Sequence, residues 1–139
     1  LVISIQRIDD ELLQFAQKIE LLFGKSFGDR FDFCSFEEGL IAELHNLGCM
    51  LLKRVLETID QYYLEHPLER DGWKVERGPE PKTILTNLGE VVYKRRYYRH
   101  QKTKQYRHIV DYISGIGLHE HAAPSLKAKL IERAAEMSY

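Results

Sequence analysis

The sequence predicts an α+β fold: an N-terminal helical hairpin with one long helix, a small antiparallel β-sheet bearing a basic hairpin, and a C-terminal helix. Three observations predict it. Apolar residues recur at three- and four-residue spacing as far as Glu65. His66-Pro67 ends that period, and short Val-, Tyr- and Ile-rich segments then alternate with glycine and proline turns. Helical spacing returns behind Pro124.

The length of 139 residues accommodates one ordinary domain or two small ones and is too short for a barrel enzyme. With 44% hydrophobic and 29% charged residues the chain can bury a core, which excludes wholesale disorder. No run approaches the roughly 18 apolar residues of a membrane span, and the N-terminus lacks the regions of a secretory signal. Cys34 and Cys49 belong to no CxxC pair and suit a reducing compartment, although a single disulfide between them is the alternative. The expectation is a cytoplasmic protein without a membrane partner. Its first residue is Leu1 rather than methionine, which predicts a piece of a longer chain.

The first helix is expected over residues 8–23, where Ile8, Leu12, Phe15, Ile19 and Leu22 form one stripe. Asp9, Asp10 and Glu11 suit the positive end of its dipole, and Gly24 suits its end. Residues 24–34 read as a loop whose phenylalanines pack back on the core. Ser35 and Glu38 have capping-box spacing, so a second helix is expected over residues 36–65, carrying Leu40, Leu44, Leu47, Leu51, Val55, Ile59 and Tyr62 on one face. At 1.5 Å per residue it would be about 45 Å long, more than so small a domain can enclose, so part of it must project or meet a partner. Gly39 and Gly48 inside it mark close approaches.

Beyond Pro67, residues 73–77 and 83–88 read as two short strands separated by Gly78, Pro79 and Pro81. Residues 90–100 and 106–113 read as two further strands joined by a polar hairpin loop. Pro124 can start the last helix, striped by Leu126, Leu130, Ala134 and Met137. The division expected from this pattern is a helical region, 1–66, able to oligomerise, and a sheet region, 67–139.

Charge is segregated. Residues 94–108 carry seven of the 20 Lys and Arg and none of the 21 Asp and Glu. Strict alternation puts Val91, Tyr93, Arg95, Tyr97 and Arg99 on one face and Val92, Lys94, Arg96, Tyr98 and His100 on the other. Both faces are then cationic, so the hairpin is expected to extend beyond the core. Interleaved guanidinium and tyrosine groups suit a nucleic acid, whose phosphates take the cations and whose sugars or unpaired bases meet the rings. The competing reading is an edge hairpin made soluble by its charges. The residues assigned to DNA are Lys94, Arg95, Arg96, Tyr97, Tyr98, Arg99, Lys102, Lys104 and Arg107, with Tyr106 in support.

Catalytic patterns are absent. His119 and His121 are two apart, with His100 and His108 elsewhere, but no second pair completes a zinc site, so neither metal nor cofactor is expected. The cysteines lack an evident base, and most carboxylates fall on solvated helix faces. Asp111 suits a turn cap or an acid pair with Glu120. There is no phosphate-binding glycine loop and no GxSxG elbow.

Asp71-Gly72-Trp73, the turn from Thr83-Ile84-Leu85-Thr86 to Leu88-Gly89-Glu90-Val91, the run Lys94-Arg95-Arg96-Tyr97-Tyr98, the Asp111 segment and the final helix resemble the N-terminal region of ISLre-type insertion-sequence transposases, also catalogued as an uncharacterised transposase-like family. The resemblance covers about half the chain, from Arg70 onward. It implies a DNA-transposing parent whose ribonuclease H-like domain, with three metal-binding acidic residues, lies downstream. No catalytic residue carries over. It also implies that Ser138-Tyr139 lead into a helix-turn-helix-like segment. The hairpin that other transposases build as a zinc ribbon lacks cysteines here.

The expectation is therefore a non-enzymatic DNA-binding and assembly fragment of a transposase, engaging element-end DNA through its hairpin and a second copy through the long helix. The alternative is a protein-interaction module that docks on an acidic surface of its own catalytic domain. A small independent nuclease is the third and weakest reading.

Overall fold

The computed structural model describes residues 3–137. Leu1, Ser138 and Tyr139, on which the readings of a truncated start and of an onward helix-turn-helix rest, lie outside the described residues. Helix α1 (Asp9–Lys25) and helix α2 (Phe33–Glu65) form an antiparallel hairpin. Leu22 of α1 lies against Gly39, where an added Cβ would come within 2.5 Å of a Leu22 methyl, and Arg54 pairs with Glu11 from the far end. The acidic first turn of α1 stands as expected. Helix α2 starts earlier than the capping box implies. Asp32, in extended conformation, is its N-cap and accepts the Ser35 N–H at 3.0 Å, while Ser35 Oγ donates to the same carboxylate at 2.9 Å. Those two hydrogen bonds hold the Asp32 carboxyl below its ordinary pKa.

The loop phenylalanines do not return to the core. Phe23, Phe27, Phe31 and Phe36 stack edge-on or tilted on one another at 5.0–6.1 Å between centroids, and Phe33 joins them through Phe31. They form a separate cluster at the tip of the hairpin, because the loop lies at the end of α2 remote from the sheet.

After a 3-10 turn (Pro67–Arg70), strands β1 (Trp73–Thr86), β2 (Gly89–His100) and β3 (Tyr106–Arg107) form an antiparallel sheet in the order β1-β2-β3. The two strands expected over residues 73–88 are one, since β2 pairs along the whole of β1. Gly78 and Pro79 are absorbed as irregularities: the register shifts between Val75 and Arg77 and again between Arg77 and Glu80. Gly78 has φ +109°, and a Cβ there would meet the Arg95 carbonyl at 3.0 Å.

The strand expected over residues 106–113 shortens to two residues, followed by helix α3 (Ile109–Ile113). Ile109, Val110 and Asp111 are all buried, and three consecutive inward side chains defeat the alternation of a strand, whereas one turn of helix accommodates them. Helix α4 (Pro124–Met137) closes the described chain. Residues 121–123 extend the β1 edge: Leu85 N–H donates to His121 O at 2.8 Å and Ala123 N–H to Leu85 O at 2.9 Å. Asn87 Nδ2 donates to Ser125 Oγ at 3.0 Å, tying the β1–β2 turn to the start of α4.

The core lies between the C-terminal half of α2 and the sheet. Leu56, Ile84, Val91, Tyr93, Val110 and Ile116 form one cluster, and Tyr63, Tyr98 and Ile109 the other. It crosses the division expected at residue 66, because α2 supplies one wall. Two buried carboxylates hold it. Asp111 accepts from Tyr93 Oη at 2.5 Å, from Lys82 Nζ at 3.4 Å and from the Arg95 guanidinium. Asp60 accepts the Arg96 N–H at 2.9 Å and its guanidinium at 2.6 Å. Burial raises the Asp60 carboxyl and lowers the Lys82 ammonium from their ordinary pKa values, and raises the Tyr93 phenol strongly.

Removing one partner of a buried ionic group strands the others. Asp111→Asn is expected to cost about 3–5 kcal/mol, because Lys82 and Arg95 would keep their charges beside a neutral amide. Thermal unfolding followed by circular dichroism checks this, and an unchanged midpoint would show that the network does not hold the core.

Candidate nucleic-acid interface

The basic run divides between the interior and the surface. Arg95 and Arg96 do not face solvent: their side chains are 15% exposed and end on Asp111 and Asp60 respectively. Tyr98 is fully buried against Tyr63 and Ile109, with the Arg70 guanidinium 5.4 Å from its ring centre. The expectation that all three meet phosphate, sugar or base is corrected, since their polar or aromatic groups are consumed within the chain. So is the expectation of a hairpin standing clear of the core with two cationic faces. Asp111, assigned to a cap or an acid pair, is instead the acceptor for two cations and a phenol.

The inward positions of β2 change phase along the strand. Val91 and Tyr93 point to the first cluster, and Tyr98 to the second. Between them α2 meets the strand edge that β3 is too short to cover. Glu57 Oε1 accepts the Lys94 N–H at 3.3 Å and Asp60 the Arg96 N–H, two carboxylates one helical turn apart. His108 Nδ1 lies 3.2 Å from the Arg96 carbonyl, which can only accept, so this nitrogen carries the proton. Burial, with Arg95 nearby, holds the His108 imidazole below its ordinary pKa.

Lys94, Arg99, Lys102 and Lys104 are exposed, and none of them is in an ion pair among the described residues. Arg107 is half-buried, with its guanidinium 4.6 Å from the Trp73 ring centre and 3.7 Å from that of Tyr112.

Lys102 and Lys104 ride on a loop built around His100. Its Nδ1 accepts the N–H groups of Lys102 and Thr103, each at 3.2 Å, which leaves Nε2 to donate to Asp71 O at 2.9 Å. Asp71 and Gly72 take left-handed conformations, and Trp73 meets the imidazole edge-on at 5.1 Å. A Cβ on Gly72 would stand 3.1 Å from Nε2. The Asp71-Gly72-Trp73 motif is thus the seat of the hairpin tip.

Cross-strand pairing adds two cations that the residue pattern alone missed. Lys74 lies opposite Arg99 and Arg77 opposite Tyr97, while Tyr106 lies opposite Arg99 from β3. Residues directly opposite share a face, so Lys74, Arg77, Tyr97, Arg99 and Tyr106 form one set. Its inward counterpart holds Trp73, Val75, Tyr98, His100 and Arg107. The missing signal was the register: with β1 read as two strands, no cross-strand neighbour could be assigned.

Among the described residues no three His, Cys, Asp or Glu side chains gather where they could hold a metal ion, and no helix is long and apolar enough to cross a membrane. Both cysteines are free.

The sequence matches the model of an uncharacterised protein family, UPF0236, over residues 27–139, so the likeness reaches through α2 as well as the sheet. A UPF0236 protein of Caldanaerobacter subterraneus subsp. tengcongensis is 28% identical over 127 residues, covering 91% of this chain and 27% of that relative. Another from the same organism is 34% identical over 93 residues, covering 67% of this chain and 20% of the relative. The chain spans about a quarter of the length of the relatives it matches. No solved structure matches it.

Because His108 is held neutral in the folded state, the unfolded chain binds its proton more readily. The contribution is whole above the unfolded value of about 6.5 and declines as pH falls from there to the lower folded value. In His108→Asn an amide keeps the donor to Arg96 O. Urea unfolding of both proteins from pH 7.5 to 5 should show the wild type losing stability relative to the variant on acidification; parallel curves would refute the assignment.

Proposed function

The chain belongs to the uncharacterised protein family UPF0236, and on that premise we propose that it is the DNA-binding and assembly region of a transposase, with catalysis residing elsewhere in the protein. The observation that carries the reading is the set of exposed cations that form no ion pair among the described residues: Lys94, Arg99, Lys102 and Lys104 from the basic run, joined by Lys74 across the sheet. A polyanion is the ligand that such a set suits, since each ammonium or guanidinium placed at a phosphate releases a condensed counterion. The resemblance of the Arg70-onward motifs to ISLre-type transposases supports DNA, and element ends in particular, as that polyanion.

Assembly is supported by the helical hairpin. Helix α1 buries no side chain completely, and Leu13 and Leu21 on it and Phe33 at the start of α2 are about 60% exposed. Large apolar side chains left this exposed along one hairpin suit a partner site. A second copy offering the same face would cover it isologously, and the half of α2 that projects past the sheet gives that copy room.

Titrating a labelled duplex with the protein at several salt concentrations tests the first part. Binding is expected to weaken with salt at a log–log slope of roughly 4.5 when all five cations meet phosphate. A Lys94/Arg99/Lys102/Lys104→Ala variant should lose most of that slope while melting as the wild type does. Absence of duplex binding at low salt would overturn the DNA reading and favour docking on an acidic protein surface. For the second part, sedimentation equilibrium should give a dimer that Leu13/Leu21/Phe33→Ser converts to a monomer; a wild-type monomer at high concentration would refute it.

A further inference from the structure

We propose that the outer face of the distal sheet is a stacking platform for unpaired bases, and that its ligand is a single-stranded stretch of DNA; this rests on the DNA-binding reading above and specifies the form of DNA. The face comprises Lys74, Arg77, Tyr97, Arg99 and Tyr106, brought together by the pairing of three strands. The Tyr97 and Tyr106 rings are stacked, 10° apart with centroids at 5.1 Å, and His108 packs on Tyr97 at 4.6 Å, so Tyr97 backs the ring of Tyr106. Tyr106 is 47% exposed, and the inward sheet face, not this one, receives α2.

Both rings carry guanidinium groups. Arg77 lies 4.6 Å from the Tyr97 centre and Arg99 5.6 Å from that of Tyr106. The looser of these contacts covers the more exposed ring. Cation–π contacts at exposed sites are weak, so an arriving base can displace Arg99 from Tyr106 toward its own phosphate at little cost. Among the described residues the one ion pair on these five is Arg77 with Glu80, at 3.2 Å, on exposed side chains.

Two features select unpaired DNA over duplex. The outer face of the Tyr106 ring, whose other side is stacked on Tyr97, gains by contact with the face of a base, and a duplex keeps base faces stacked inside, showing only edges and phosphates. Cations also flank the rings, with Lys74 beside Arg99 on the sheet and Lys102 and Lys104 in the loop after His100. A flexible single strand can bend its phosphates to cations placed around a stacked base, which is how sequence-tolerant single-strand sites are built.

The test compares a labelled oligo-dT 20-mer with a labelled mixed-sequence hairpin duplex by fluorescence anisotropy at one salt concentration. Tyr97→Ala/Tyr106→Ala is expected to weaken oligo-dT binding about tenfold or more, and Tyr97→Phe/Tyr106→Phe to preserve it, because the ring and not the hydroxyl stacks. Duplex affinity should change less than about threefold in either variant. Tyr106→Leu, at the more exposed position, keeps an apolar side chain without a π-face and should also weaken oligo-dT binding should the double variant fail to fold. Oligo-dT binding unchanged in Tyr106→Leu, with duplex binding intact, would overturn the platform and leave the DNA reading standing. Failure of the wild type to bind either nucleic acid would overturn both. Tenfold tighter binding of oligo-U than of oligo-dT would overturn DNA as the ligand.

Discussion

The sheet depends on how β2 is held along the edge that its neighbour does not cover. β3 pairs with only Tyr98 and Arg99, which leaves earlier N–H and C=O groups of β2 without a strand partner. A buried backbone donor left unpaired costs as much as a lost hydrogen bond, and a bare edge invites another chain. Here helix side chains complete the ladder. Glu57 and Asp60 take two N–H groups and His108 donates to a carbonyl, so α2 serves as both wall of the core and surrogate strand. Placing carboxylates at that edge in turn requires cations. Asp60 is nearly inaccessible, and Arg96, whose own N–H it accepts, supplies the charge.

This explains why a strand with so many cations can lie against a core. Seen as a list, Lys94 to Arg99 is a basic run; seen in place, it has three kinds of member. Arg95 and Arg96 balance buried acids, Tyr98 fills the interior, and Lys94 and Arg99 remain in solvent. The net positive charge available to a partner is therefore smaller than composition implies and more narrowly placed. Apart from Lys94, it is concentrated toward the loop after His100 and on the face that Tyr97 and Tyr106 share, where Lys74 and Arg99 meet through pairing rather than through proximity in sequence.

The helices were legible because their signals are local. The apolar stripes of α1, α2 and α4 and the acidic first turn of α1 stand where the period puts them, with ends displaced by up to three residues. Asp32 outcompeted Ser35 as the cap of α2 because its carboxylate could hold both the N–H and the hydroxyl of that serine. The sheet was legible in class but not in register. Gly78, Pro79 and Pro81 read as a break, yet β2 continues opposite them and the irregularity became a pair of register shifts. The loss of the long third strand had a visible cause that alternation overrode: Ile109, Val110 and Asp111 are three neighbours that all turn inward. For the candidate interface, residue type marked the basic run but could not separate structural from free arginines. That separation depends on Asp60 and Asp111, which lie 36 and 16 residues away from their partners.

The two ends of α2 are held differently. Toward Glu65 the helix is bound to the sheet by charge as well as by apolar packing, so its position relative to β2 is closely determined. Toward Phe33 it packs on α1 and its loop, and Phe33, Ile41 and Leu44 stay exposed. A rigid helix of 33 residues fixed at one end carries whatever binds the other end at a set distance and angle. A second copy seated on the hairpin would thus hold two outer sheet faces in a fixed mutual orientation. On the proposed reading that geometry would let two strands of DNA be engaged together, and it would follow from the carboxylates at the β2 edge, since loosening Glu57 and Asp60 would free the lever between the hairpin tip and the sheet.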